Sequence, residues 1–494
     1  MVSVRRALAL SFAESYLLIA IGLTSNVLLA RLLTPQQIGI FSVSLAIIGV
    51  AQVLRDFGIS SYLIQERELS DVRLRTAFGA SLVMGVVLFF TTYFGAALAG
   101  RIYADDRVAQ TLRICALNFL AMPFCTVYLA MLRRQMAFNR LAAVNVLAAL
   151  CGAAASTGLA FRGHGVTSLA IGSVVVTTIT GAGAWFMRSD RRALRPALSE
   201  WRLVLRFGAQ NSSANVVTTI AMDINDLAIG KILGFAPVAM LSRGQGLMNM
   251  FHRDLMAAIR NVAYPAFAKA SRETEPLEPR YIASVTNVTA IAWPFYGFVS
   301  LFALELLRLL FGPQWDEAAP LVPIFCLAGA LAATFNLIGP VVLAVGRVDL
   351  ITKAEFVFQP FRAALIVVAA LMFRSITACA IALLVAFTFQ LPLLYFIKGR
   401  CIPNDYSTLR FNLWSSMKVS LASLILPALL VFSAGYRRTG PTELVVAAVL
   451  CIVSWITALF AFQHSLVKDP LFQRILGKLR HQLSPTHPDD RKHR

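Results

Sequence analysis

The side chains able to bind or carry something gather in one stretch of an otherwise apolar chain. It holds Asn211, Asn215, Thr218, Asp223, Asn225 and Asp226, followed by Arg243, Gln245, Asn249, His252, Arg253 and Asp254. At about 100° per residue, Asn211, Asn215, Thr218, Asn225 and Asp226 share one helical face, with Asp223 at its edge. Gln245, Asn249, His252 and Arg253 share a face of the next helix, and Arg243 and Asp254 occupy another. Guanidinium groups held away from bulk water bind phosphate through paired N–H donors. An interior with more Arg than acid therefore favours an anionic, phosphate-bearing ligand over a cationic one. Arg243 and Asp223 fall at similar depths on consecutive antiparallel helices, so an ion pair between them is the competing, purely structural reading.

The elements that position these groups are membrane spans. The chain has 494 residues, of which 58% are hydrophobic and only 14% charged, with a mean hydropathy of +0.70. A soluble domain carries about a quarter charged residues. Nothing in hydrocarbon can satisfy a bare peptide group, so apolar runs of about twenty residues must be helices. Roughly fourteen such runs fall at 7–31, 38–63, 76–99, 108–132, 141–162, 165–187, 205–231, 236–262, 283–310, 319–345, 350–373, 376–397, 413–434 and 441–463. The longest connections, near 188–202 and 260–280, are basic and polar and too short for a soluble domain. A charge within a span costs about 2.5–3.5 kcal/mol on insertion scales, so Arg55, Asp56, Arg113, Arg362, Glu14 and Glu355 need a partner, a cavity or a route to the surface.

Basic residues crowd every second loop. About thirty lie on the side of the N-terminus and about nine on the other, which predicts that both termini are cytoplasmic. The net charge of +20 is then a matter of topology and anionic headgroups, and its dispersal over many loops argues against nucleic acid. The first apolar run follows Arg5 and Arg6 like a secretory signal, but it is long, contains Glu14 and reaches Arg31 without a small-residue cleavage site, so it reads as a retained span. Six of the seven cysteines fall inside spans and Cys401 in a loop, with no CxxC or Cys/His grouping, so neither a metal site nor a disulfide framework is expected.

Segment 28–42 (LLARLLTPQQIGIFS) resembles 228–242 (AIGKILGFAPVAMLS), with Arg31 opposite Lys231, Leu33 opposite Leu233 and Ser42 opposite Ser242; Arg55-Asp56 has a counterpart in Arg253-Asp254. A six-helix repeat enters the membrane twice in the same sense, which predicts an all-α protein of two six-helix lobes, 1–200 and 201–400, related by a pseudo-two-fold along the membrane normal. Two further spans at 401–463 and a basic amphipathic tail at 464–494 lie outside the repeat. Leu471, Phe472, Ile475, Leu476, Leu479 and Leu483 give that tail an apolar stripe, and its end reads as disordered. Thr34, Pro35 and Gln37 predict an abrupt, capped start to the second span.

The stretch ARLLTPQQIGIFSVSLAIIGVAQVLRDFGISSYLIQ (30–65), with DLAIGKILGFAPVAMLSRGQGL (226–247) and Pro-Ala-Phe at 265–267, resembles Wzx-type oligosaccharide flippases. These belong to the multidrug/oligosaccharidyl-lipid/polysaccharide exporter superfamily, which also contains lipid II flippases and multidrug and toxin extrusion transporters. The resemblance implies a bacterial inner-membrane carrier rather than an enzyme. Its cargo would be an undecaprenyl-diphosphate-linked oligosaccharide for lipopolysaccharide or exopolysaccharide, flipped from the cytoplasmic to the periplasmic leaflet by lobes rocking about a basic cavity. Arg243, Arg253, Asn211, Asn215, Gln245, Asn249 and Arg55 would line that cavity. Coupling to H+ or Na+ would fall to Asp223, Asp226, Asp56 or Asp254, with no other cofactor and no metal. A polysaccharide polymerase and chain-length machinery would be partners, besides membrane lipid, and nucleic acid would not. Arg243 departs from the less charged residue common at that position. The alternatives are a cation-coupled multidrug exporter of the same fold and a membrane-embedded polymerase or ligase; the latter lacks a long outer loop or a convergent acid, His or metal constellation.

Overall fold

The computed structural model describes residues 4–56, 59–66, 69–187, 195–199, 201, 219–220, 223–434, 440–469 and 472–473. Among them the ordered elements are all helical. They run α1 (Val4–Leu32), α2 (Pro35–Asp56), α3 (Ile59–Gln65), α4 (Asp71–Tyr103), α5 (Asp106–Ala116), α6 (Asn118–Arg134), α7 (Phe138–Phe161) and α8 (Val166–Phe186). Helical backbone over 223–232 is α9. Then follow α10 (Phe235–Asn249), a π-helical stretch Met250–Leu255, α11 (Met256–Arg272), α12 (Leu277–Leu301), α13 (Ala303–Leu310) and a 3₁₀ stretch Pro313–Leu321. The chain continues as α14 (Val322–Ala333), α15 (Ile338–Ala344), α16 (Val348–Phe373), α17 (Ile376–Gly399), α18 (Tyr406–Ala434), α19 (Pro441–Ala461) and a 3₁₀ turn Ser465–Lys468.

Twelve helical stretches among the described residues are long and apolar enough to cross a membrane. Two expected spans are not in that set, for different reasons. Residues 205–218 and 221–222 of the seventh lie outside the described residues, and with them Asn211, Asn215 and Thr218. The eighth is helical from Phe235 to Arg272 but too polar to qualify by hydropathy. Several expected single spans are interrupted. The fourth breaks at Leu117 between α5 and α6, the ninth at Phe302 between α12 and α13, and the tenth starts as a 3₁₀ stretch and divides again between α14 and α15. The long basic loop expected near 260–280 is mostly helix, because α11 continues to Arg272 and leaves only Glu273–Pro276 as connection.

The helices gather into two compact units. One is Met1–Arg243 with Leu310–Ala318 and Glu355–Ala382; the other is Gly244–Leu309 with Ala319–Ala354 and Leu383–Arg494.

In the first unit the 200-residue offset has a structural counterpart. Leu33 N–H donates to Leu29 O at 2.9 Å before α2 starts at Pro35, and Leu233 N–H donates to Ile229 O at 2.8 Å before α10 starts at Phe235. The first turn is closed by the expected reciprocal cap: Gln37 N–H donates to Thr34 Oγ1 at 3.3 Å and Thr34 N–H to Gln37 Oε1 at 3.0 Å. At the second turn Gly234 takes φ +99°, a left-handed conformation open to glycine. The two hairpins interlock through small residues: a Cβ on Gly39 would strike the backbone of Phe235, and one on Gly230 would meet Val43 Cγ2.

In the second unit α12 and α18 run side by side in the same direction. Glu278 Oε1 accepts from Asp405 N–H at 3.0 Å, and Thr289 Oγ1 bonds Ser416 Oγ at 3.0 Å. Beyond α19 the chain folds back on them. His464 Nδ1 accepts from Leu466 N–H at 3.1 Å, which assigns the ring proton to Nε2, where it faces Ser416 Oγ at 3.1 Å. The imidazole is buried, which lowers its pKa from the ordinary value. Of the tail, Phe472 packs edge-on against Trp455 at 6.1 Å, and residues from 474 onward lie outside the described residues.

Candidate functional site

Arg243 is the most elaborately held of the expected site residues. Its Nη1 donates to Asn26 Oδ1 on α1, and its guanidinium lies 4.9 Å from the ring centre of Phe311 and 5.0 Å from that of Trp315. Those rings are fixed in turn, since Trp315 Nε1 and Gln314 Nε2 both donate to Ala30 O, at 2.9 and 2.6 Å. Arg31 Nε reaches Leu310 O at 3.3 Å from the same end of α1. The aromatic faces attract the cation without neutralising it, and the buried Nε–H of Arg243 has no hydrogen-bond partner. A guanidinium so placed is left with one unpaired N–H donor, a group suited to an anion. Among the described residues no ion pair joins it to Asp223, so the purely structural pairing suggested by the sequence does not form.

Asp223 and Asp226 lie one turn apart on α9. The Asp223 carboxylate sits against α2, where a Cβ on Gly49 would collide with its Oδ2. Tyr103 Oη donates to Leu227 O at 3.0 Å and Lys231 Nζ to Ile102 O, which fastens α9 to the end of α4. Asn225 Oδ1, on the residue before Asp226, is buried without a partner. Asp223 and Asp226 are one turn apart on the same side of α9, and two neighbouring carboxylates are acceptors suited to a proton or a cation. Elsewhere in this unit Glu14 accepts from Asn145 Nδ2 at 2.7 Å, and Arg113 lies 5.8 Å from the Tyr93 ring centre, so these intramembrane charges have local partners. Glu355 accepts from Gln359 Nε2 at 2.6 Å. The side chains of Arg55 and Asp56 lie outside the described residues.

The second unit contains the remaining candidates. Gln245 and Asn249 are half-buried on α10. Arg253 and Asp254 are exposed and pair with each other at 2.9 Å, within the π-helical stretch. An exposed pair of this kind adds little to stability, about 0–1 kcal/mol. The adjacent His252 stacks on Phe387 at 5.7 Å and its Nδ1 lies 3.4 Å from Asn336 Nδ2. π turns cluster at functional positions because they carry a surplus residue, so their presence at this run of polar residues marks it out.

The functional partners that sequence reasoning missed are Asn26, Phe311 and Trp315. Asn26 had a signal, as an amide within an apolar first span. The two aromatics had none, since nothing in their spacing points to a residue some seventy positions earlier.

The chain matches the family model described as polysaccharide biosynthesis protein over residues 28–320, more than half its length. It is 25% identical over 425 residues to the lipopolysaccharide biosynthesis protein WzxC of Escherichia coli (strain K12), covering 84% of this chain and 85% of that one. It is 24% identical over 305 residues to the teichuronic acid biosynthesis protein TuaB of Bacillus subtilis (strain 168), covering 61% and 62%. Its fold is that of the lipid II flippase MurJ in an inward closed conformation, with a TM-score of 0.74, 12% identity and coverage of 93% and 100%. A multidrug resistance MATE transporter in an inward-facing conformation follows at a TM-score of 0.60, 15% identity and coverage of 79% and 95%. The chain belongs to the polysaccharide biosynthesis protein family, as a multi-pass membrane protein of the Wzx type.

Proposed function

We propose that the protein flips an undecaprenyl-diphosphate-linked oligosaccharide from the cytoplasmic to the periplasmic leaflet of a bacterial inner membrane, by alternating access. The observation that carries this reading is the similarity to WzxC along 84% of the chain, a protein named for lipopolysaccharide biosynthesis. Arg243 engages the diphosphate: its free Nε–H and aromatic backing suit an anion that must bind and then leave. Asp223 and Asp226, flanking Asn225, carry the coupling H+ or Na+. Gln245, Asn249 and Arg253 contact the glycan or its phosphates, as do Asn211, Asn215 and Arg55, while Asp254 and Asp56 serve as further acids. Both termini are cytoplasmic, on the side of the basic loops, and the released glycan passes to a polymerase with its chain-length partner.

The test is deletion of the gene in a strain whose lipid-linked glycan can be labelled from the periplasmic side. Glycan should accumulate where the label cannot reach it, and surface polysaccharide should fall. Unchanged surface polysaccharide combined with altered dye efflux would overturn the reading in favour of multidrug export.

A further inference from the structure

Exposure along α18 follows the helix repeat. Leu409, Ser416, Val419, Ser423 and Val431 are buried, whereas Phe411, Trp414, Met417, Leu421, Ile425 and Leu429 are exposed. An exposed stripe this apolar faces lipid. Two cations interrupt it: Arg410 and Lys418 are exposed on the same stripe, one turn to either side of Trp414. The described part of the helix reaches Ala434, and at 1.5 Å per residue the twenty residues back to Trp414 already span about 30 Å, the thickness of the hydrocarbon. Trp414 therefore marks the boundary, Arg410 stands in the headgroup layer and Lys418 begins one turn inside the acyl region. Among the described residues neither cation has a hydrogen bond or ion pair.

Beside Lys418, from Met417 onward, the stripe borders a groove of about 410 Å³ between α12, α14 and α18, lined by Trp293, Gly297, Leu327, Leu331, Met417 and Leu421. The groove lies wholly within the second unit and its walls are nearly all apolar. A lysine rooted in hydrocarbon has one charged group within reach of its stem, a lipid phosphate at the level of Trp414. The geometry points to a bound anionic phospholipid, its phosphate held between Arg410 and Lys418 and one acyl chain lying in this groove. It sits in the leaflet on the side of the α17–α18 loop. Charge complementarity selects the anionic headgroup, and the groove distinguishes this molecule from the lipid that merely surrounds the protein.

The test uses the full-length protein purified in detergent, with native mass spectrometry after addition of phosphatidylglycerol or phosphatidylcholine. The wild type should retain one phosphatidylglycerol at least fivefold more strongly than one phosphatidylcholine. Lys418→Leu with Arg410→Gln should abolish that preference, Lys418→Arg should keep it, and Leu421→Trp should weaken retention by filling the groove while leaving both cations in place. Equal retention of the two lipids by the wild type, or unchanged preference in the double variant, overturns the site. Unchanged retention in Leu421→Trp, with its unfolding temperature unaltered, overturns the placement of the acyl chain.

Discussion

Lys398 and Glu278 form an ion pair in which the lysine side chain is entirely shielded from solvent and the carboxylate is only 11% exposed. The ammonium also lies 4.5 Å from the ring centre of Tyr281 and 5.9 Å from that of Tyr395, and the second Glu278 oxygen accepts from Asp405 N–H. Both tyrosine hydroxyls reach Thr334 O, at 3.2 and 2.8 Å. The pair thus joins the start of α12, the end of α17 and the start of α18. Removing one partner leaves a buried charge alone. Lys398→Met should cost about 3–5 kcal/mol, whereas Lys398→Met with Glu278→Gln should recover most of it. Unfolding of the detergent-solubilised protein reads both, and equal destabilisation by the single and double variants would refute this account.

At Arg243 the expectation is a transport defect in a stable protein. Arg243→Ala should lower surface polysaccharide tenfold or more at unchanged protein abundance, because the Asn26 bond and the cation–π contacts together are worth only about 1–3 kcal/mol. Arg243→Lys keeps the charge but loses the planar donor edge, so it should recover only part of the export. Asn26→Ala frees a donor without removing the cation and should be milder than either. Normal export in Arg243→Ala would reduce the residue to packing.

The interlocked hairpins predict contrasting glycine substitutions. Gly39→Ala brings a methyl group against the Phe235 backbone and should destabilise by about 1–3 kcal/mol. Gly22→Ala meets nothing within 4 Å on α1 and should be neutral or stabilising by up to about 1 kcal/mol. Unfolding temperatures of the two variants check this, and loss of stability in both would point away from the contact.

For His464 the sign follows from its neutral state. Burial holds its folded pKa below that of the unfolded chain, so at acidic pH the unfolded state takes up the proton first. Its contribution to stability is full above the ordinary histidine range, near 6.5, and is lost as pH falls through and below it. His464→Asn keeps an acceptor for Leu466 N–H without a titrating ring. Between pH 7.5 and 5 the wild type should lose more stability than this variant, and parallel slopes would show that the ring does not titrate with unfolding.

Hydropathy located the spans because every crossing must be an apolar run of fixed length, and that constraint is visible without any tertiary contact. The breaks at Leu117 and Phe302 were not visible, since each falls inside a run apolar enough to read as one span, and only packing decides where a helix yields. Arg243 was legible as a charge out of place, but its aromatic cradle was not, because Phe311 and Trp315 read as ordinary residues of a connection. Glu278 and Lys398 fall in the polar stretches between expected spans. Their 120-residue separation hides a pairing that exists only once α12 and α17 are brought together.

The π-helical stretch from Met250 to Leu255 has a mechanical consequence. That turn holds one residue more than an α-helix would, so a shift of the surplus along the chain is a small change in hydrogen bonding rather than an unfolding event. Each residue it passes is rotated by about 100° about the helix axis. A local slippage past Arg253 and Asp254 therefore re-aims the pair together while the helix on either side keeps its place.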